Sequence, residues 1–235
     1  MNSRIFIKST IRKRLLLSGV ISVMGLFFTV LSDINLTTDS QTISFVNYLF
    51  YLIIYFFASF LGITASENIG VSPLIAIANF GVNKKLVRVL IFGIAAGILI
   101  GIINTIVLKQ SLNSDNLPEW LFHFNSVYDT FILSARAAFM EEIIFRLFLF
   151  PGLAWVVLFF LRRIIKKENQ RVLFVSIITG IIASSLLFGI MHGSGFLYSS
   201  VIGIILCGIF VKGGLESTII AHFTGNFMSF TYVMN

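Results

Sequence analysis

Few residues in this chain can do chemistry, and they stand out from their surroundings. Glu141-Glu142-Ile143-Ile144-Phe145-Arg146 sets two carboxylates and a guanidinium inside a run of Phe, Met, Ile and Leu. Charge at membrane depth costs about 2.5–3.5 kcal/mol per residue on insertion scales, so such groups are usually partnered and functional. At about 3.6 residues per turn, Glu142 and Arg146 share a helix face with the acid N-terminal, the favourable order for an ion pair. Glu141 is turned by about 100° from Glu142, which leaves its carboxylate for chemistry. The plainer reading is a helix that ends here at the water interface, but residues 137–140 and 147–150 are apolar apart from the motif itself.

Two further polar islands lie downstream. In Phe188-Gly189-Ile190-Met191-His192, the ring of Phe188 sits one turn from the imidazole and can fix it. In His222-Phe223-Thr224-Gly225-Asn226, His222 and Asn226 share a face. Singly, an intramembrane His is more often bonded to a nearby carbonyl, and an Asn more often joins helices. Together, on three apolar segments, the islands suggest one site. Desolvation makes a carboxylate a usable base near neutral pH, so Glu141 and His192 suit the activation of a water. His222 and Asn226 suit an oxyanion on an attacked carbonyl, where one donor is worth about 2.7–4 kcal/mol. The chemistry is amide hydrolysis without a covalent intermediate and without a cofactor.

The rival mechanism is metal-assisted. Glu141, His192 and His222 are the ligand types of a two-His, one-carboxylate zinc site, though the compact His-Glu-x-x-His spacing is missing. Gly193-Ser194-Gly195 raises a serine mechanism, but Gly and Ser are ordinary turn residues. His123 stands beside Trp120 and Phe122 and reads as an interfacial aromatic patch. Arg136 reads as a helix-entrance charge or a partner of Asp129.

The elements that must carry these groups are membrane helices. Of 235 residues, 57% are hydrophobic and 11% charged, with a mean hydropathy of +0.97; soluble domains carry about 25% charged residues. The net charge of +7 does not imply nucleic acid, because the basic residues cluster at the ends of apolar runs, as membrane topology requires. The single Cys207 excludes an internal disulfide. The runs fall at about 15–31, 43–63, 86–108, 127–150, 153–165, 172–191, 196–211 and 215–233, most near the ~20 residues a span needs. The expected fold is all-α: a polytopic membrane helical bundle with seven or eight transmembrane helices. Residues 1–120 supply N-terminal transmembrane helices and 121–235 the catalytic core, in one integral unit. Run 153–165 is too short to cross alone, so the count depends on whether 127–165 is one helix bent near Pro151-Gly152. The segment 70–81 reads as an interfacial or re-entrant helix. The basic N-terminus, retained with the first span, is expected in the cytoplasm of a cell-membrane protein.

In that order on apolar helices, Glu141-Glu142-x-x-x-Arg146, Phe188-x-x-x-His192 and His222-x-x-x-Asn226 resemble the three motifs of the CPBP family. This is the CAAX-protease and bacteriocin-processing (Abi) group, related to the type II CAAX prenyl endopeptidase. The resemblance covers about the C-terminal half. It implies an intramembrane glutamate-type endopeptidase, with Glu141 and His192 activating water, His222 and Asn226 at the oxyanion, and Glu142, Arg146 and Phe188 in support. One departure is Leu147, where the family commonly has Gly. The implied partners are the lipid bilayer and a membrane-associated peptide or protein tail, with no nucleic acid. The family also contains membrane scaffolds, so a non-catalytic immunity or regulatory role is the alternative.

Overall fold

The computed structural model describes residues 10–36, 45–75, 84–112, 126–165 and 170–234. Among these, every regular element is helical: α1 (Ile11–Leu36), α2 (Phe45–Asn68), α3 (Lys84–Leu112), α4 (Val127–Glu141), a π-helical segment (Glu142–Leu149), α5 (Phe150–Ile165), α6 (Gln170–Met191), a 3-10 turn (Gly193–Gly195) and α7 (Phe196–Met234). Polar residues set the helix starts. Thr10 Oγ1 accepts from the Lys13 amide at 3.3 Å, and Ser126 Oγ accepts from the Asp129 amide at 3.1 Å, each satisfying an amide that has no partner within the helix. Asp129, in the first turn of α4, also faces the positive end of the helix dipole.

Among the described residues, six helices are long and apolar enough to cross a membrane, which makes the chain a multi-pass membrane protein. The count is lower than the seven or eight transmembrane helices expected from the sequence for two reasons. Runs 127–150 and 153–165 form one continuous helix, Val127–Ile165. Immediately before Pro151-Gly152, where the sequence suggested a bend, lies the π segment. Proline has no amide to give the carbonyl four residues back, and its ring crowds that carbonyl; here the Phe150 amide bonds to Phe145 O, five residues back. The second reason is α7, whose Gly214 has φ 72° and ψ −176°, a left-handed conformation that favours glycine.

At Gly214 the chain doubles back along α3. Tyr198 bonds to Asn104, and Ile202, Leu206 and Ile209 cluster with Ile100, Ala96 and Phe92. Beyond the turn the order reverses. Ser217 Oγ donates to Val89 O at 3.1 Å, Gly97 lies against Ala221 and Thr224, and Gly101 lies against Met228. Residues 198 and 228 are therefore level on α3, and the arms of α7 on either side of Gly214 are antiparallel. Lipid tails are as apolar as leucine, so this contact relies on close backbone approach through small residues rather than on escape from water.

The π segment lies at the centre, packed against α2, α6 and α7. Its Ile143 and Leu147 are fully buried with Phe150, Ala154 and Phe210. Gly62 of α2 sits on the backbone of Leu147, and Gly180 of α6 sits on Phe150 O. At one end of the bundle Arg14 pairs with Glu67 at 2.7 Å. At the other, Arg136 pairs with Asp33 at 3.2 Å and contacts Ser32, a partner on α1 rather than the expected Asp129. Residues 70–75 are not helical; residues 76–81, like His123, lie outside the described residues.

Candidate active site

The polar islands of three helices meet at the π segment. Glu141 closes α4, and its Oε2 faces two imidazoles, His192 Nε2 at 3.9 Å and His222 Nε2 at 3.8 Å. Each ring is anchored through its other nitrogen. His192 Nδ1 lies 2.7 Å from Phe188 O; a carbonyl only accepts, so Nδ1 carries the proton. His222 Nδ1 lies 2.7 Å from Glu142 Oε1, a carboxylate that is itself 3.3 Å from Arg146 Nη1.

Adjacent acids thus have separate surroundings. Glu142 is fully buried between Arg146 and His222, whereas the Glu141 side chain keeps 25% of its exposure. The i,i+4 pair expected of Glu142 and Arg146 is present, although the backbone between them is π rather than α. A wider helix advances less per residue, and four residues still bring the two side chains to nearly one face. π-Helical turns are rare and recur at functional sites.

Phe188 joins the islands. Its ring lies 4.4 Å from the His192 ring at a tilt of 48°, lies edge-on to His222, and receives the Arg146 guanidinium on its face at 4.1 Å. A guanidinium at that distance is attracted by the ring quadrupole, more strongly where water is excluded. Asn226 is half-buried one turn beyond His222 on the same arm of α7; among the described residues its carboxamide makes no hydrogen bond to Glu141, His192 or His222. The geometry therefore brings together six of the seven singled-out residues and leaves Asn226 adjacent.

Two links were not visible in the sequence: the Glu142–His222 bond, between residues 80 apart in the chain, and the seat of Arg146 on Phe188. No local spacing encodes either one. The nitrogen-to-oxygen separations of 3.8 and 3.9 Å exceed the ~3.3 Å between ligands lying about 2.0–2.1 Å from a tetrahedral zinc. Among the described residues, no three His, Cys, Asp or Glu are grouped to hold a metal as they stand.

Residues 123–228 match the family model described as type II CAAX prenyl endopeptidase Rce1-like. Over this segment the chain is similar to the CAAX-protease family. No curated protein and no solved structure matches the chain. The family segment contains all seven singled-out residues, the π segment and most of α7, and leaves α1, α2 and α3 outside. That similarity makes peptide hydrolysis the chemistry to test against the geometry.

Proposed function

We propose that this protein is an intramembrane glutamate-type endopeptidase that cleaves a small membrane-associated peptide or protein tail. The observation that carries the reading is the single carboxylate oxygen of Glu141 facing two anchored imidazole nitrogens. With Nδ1–H held by Phe188 O, a neutral His192 presents its Nε2 lone pair. A water between Glu141 and His192 then gives one proton to each acceptor and keeps an oxygen lone pair for the substrate carbonyl carbon. Glu141 takes the proton as the C–O bond forms, and passes it to the amine nitrogen as the C–N bond breaks.

His222 serves the oxyanion. Its Nδ1–H is committed to Glu142, so Nε2 donates when the ring carries both protons, and the Glu142 carboxylate balances the imidazolium charge. The Asn226 carboxamide, one turn along, supplies the second donor. Donors already fixed where charge develops need not reorganise during the reaction.

The reading extends to topology. The chain lies in the cell membrane with its N-terminus in the cytoplasm, and crosses seven times when each arm of α7 counts as a span. Peptide precursors or short membrane tails are favoured over prenylated proteins, because the groups proposed for catalysis lie among helices long and apolar enough to cross a membrane.

Mass spectrometry of small membrane peptides tests the proposal. Cells carrying Glu141→Gln should accumulate intact precursors that wild-type cells process, and purified Glu141→Ala cleaving at the wild-type rate would overturn it. The scaffold reading makes the opposite forecast: Glu141→Gln and His192→Ala, expressed normally, would still complement a deletion. A zinc mechanism remains the second reading, supported by the two imidazole lone pairs and by the carboxylate behind His222, a usual outer partner of metal-bound His. Activity that survives chelation in protein shown by metal analysis to be zinc-free excludes it.

A further inference from the structure

The site lies toward one end of the bundle, and the bundle's charge is strongly asymmetric. Arg12, Lys13 and Arg14 open α1, and Lys84, Lys85 and Arg88 open α3. Arg162 and Arg163 close α5, Arg171 opens α6, and Lys212 stands beside the Gly214 turn. These positions share one end. Arg14 pairs with Glu67 near the end of α2, the Leu215 amide donates to Pro73 O at 2.8 Å, and Ser217 bonds near the start of α3. The other end has Lys109 and Arg136, and Arg136 is paired with Asp33. Lys and Arg in short connections stay on the cytoplasmic side. The doubling-back at Gly214 satisfies this rule: it returns Lys212 to the basic end, and the single crossing of Val127–Ile165 does the same for Arg162 and Arg163.

The site opens the other way. Side-chain exposure falls from 38% at His192 and 25% at Glu141 to 7% at His222 and 1% at Arg146. The mouth is thus on the His192 side, where α6 ends and the Gly193–Gly195 turn leads into α7. Met191 and Leu197 flank it at 75% and 77% exposure, so its rim is apolar.

We propose that the mouth opens on the non-cytoplasmic face and takes a peptide presented there, a segment at the bilayer interface with apolar residues next to the scissile bond. The substrate class is therefore exported or outward-facing peptide, not a cytoplasmic tail. The hydrolytic part rests on the peptidase reading; the sidedness does not.

Cysteine labelling in intact cells separates the two. In a Cys207→Ala background, Gly195→Cys and Leu197→Cys place thiols at the mouth; position 195 has room, its nearest neighbours to an added Cβ being Ser199 Oγ at 3.5 Å and His192 Cβ at 4.0 Å. Arg163→Cys and Lys212→Cys mark the basic end. A membrane-impermeant maleimide should label the mouth thiols in intact cells and the basic-end thiols at least tenfold less until the cells are permeabilised. The reverse pattern overturns the proposal, as does mouth labelling only after permeabilisation or none even in detergent. Precursors that accumulate with Glu141→Gln should be digested by protease added to intact cells; survival of those precursors overturns the substrate assignment. Mouth labelling as expected with no accumulating precursor leaves the sidedness and removes the peptidase reading beneath it.

Discussion

Glu141 and Glu142 are neighbours in sequence with unlike tasks, and their partners account for the difference. Glu142 is closed in by Arg146 and His222, so its carboxylate holds a ring and balances charge; Glu141 faces the open side. Glu142→Gln keeps the shape and an acceptor for His222 Nδ1–H but removes the negative charge behind the ring. If the imidazolium donates to the oxyanion, this variant lowers kcat by about 10²–10³-fold, the effect of losing one such donor. KM should stay within about twofold, because the lost interaction belongs to the transition state. Steady-state kinetics on purified protein checks the split; an unchanged kcat assigns His222 another role. The residue types of the site were legible in sequence, since a charge or an imidazole in an apolar run has few structural excuses. Ring protonation was not legible: it depends on an acceptor on another helix.

At the scale of elements, periodicity gave the helices but not their defects. Apolar runs identify spans by length, and Arg146 falls on the face of Glu142 under either α or π geometry, so the ion pair was predictable while the π segment was not. That segment arises from Pro151 together with tight packing around residue 147. Likewise Gly214 reads in sequence as one of a Gly-Gly pair between two runs, but only its φ of 72° marks where the chain reverses. Gly62 tests the packing. A Cβ there would lie 2.6 Å from the Leu147 carbonyl carbon, backbone that moves only by shifting the π segment. Gly62→Ala should cost about 1–3 kcal/mol, the usual range for overpacking, read by thermal unfolding in detergent. Gly152→Ala, with nothing within 4 Å of the added carbon, is the control on the same assembly and should be nearly neutral. Equal losses would show that residue 62 is not in close contact.

Across the whole molecule, the family segment 123–228 accounts for the reactive groups but not for what supports them. α2 presses on the π segment through Gly62, and α1 is tied to α2 by Arg14–Glu67 at 2.7 Å with 15% and 7% side-chain exposure. Removing one member of a buried ion pair costs about 3–5 kcal/mol, chiefly because the remaining charge loses its compensation. Arg14 is partly exposed, so a value below that range is expected here. Arg14→Glu and Glu67→Arg should each destabilise the folded protein, by juxtaposing like charges, and the double exchange should recover part of the loss. The exchange leaves net charge unchanged and keeps a cation at the same bundle end, so membrane orientation is preserved while the pair is inverted. Thermal unfolding of the four proteins gives the coupling directly. Peptidase turnover in the same samples then shows whether the α1–α2 clamp supports the site through the π segment: activity should fall in both single variants and return with stability in the double. Single losses that simply add, with no recovery in the exchange, would mean that the Arg14–Glu67 pair does not hold the first two helices together.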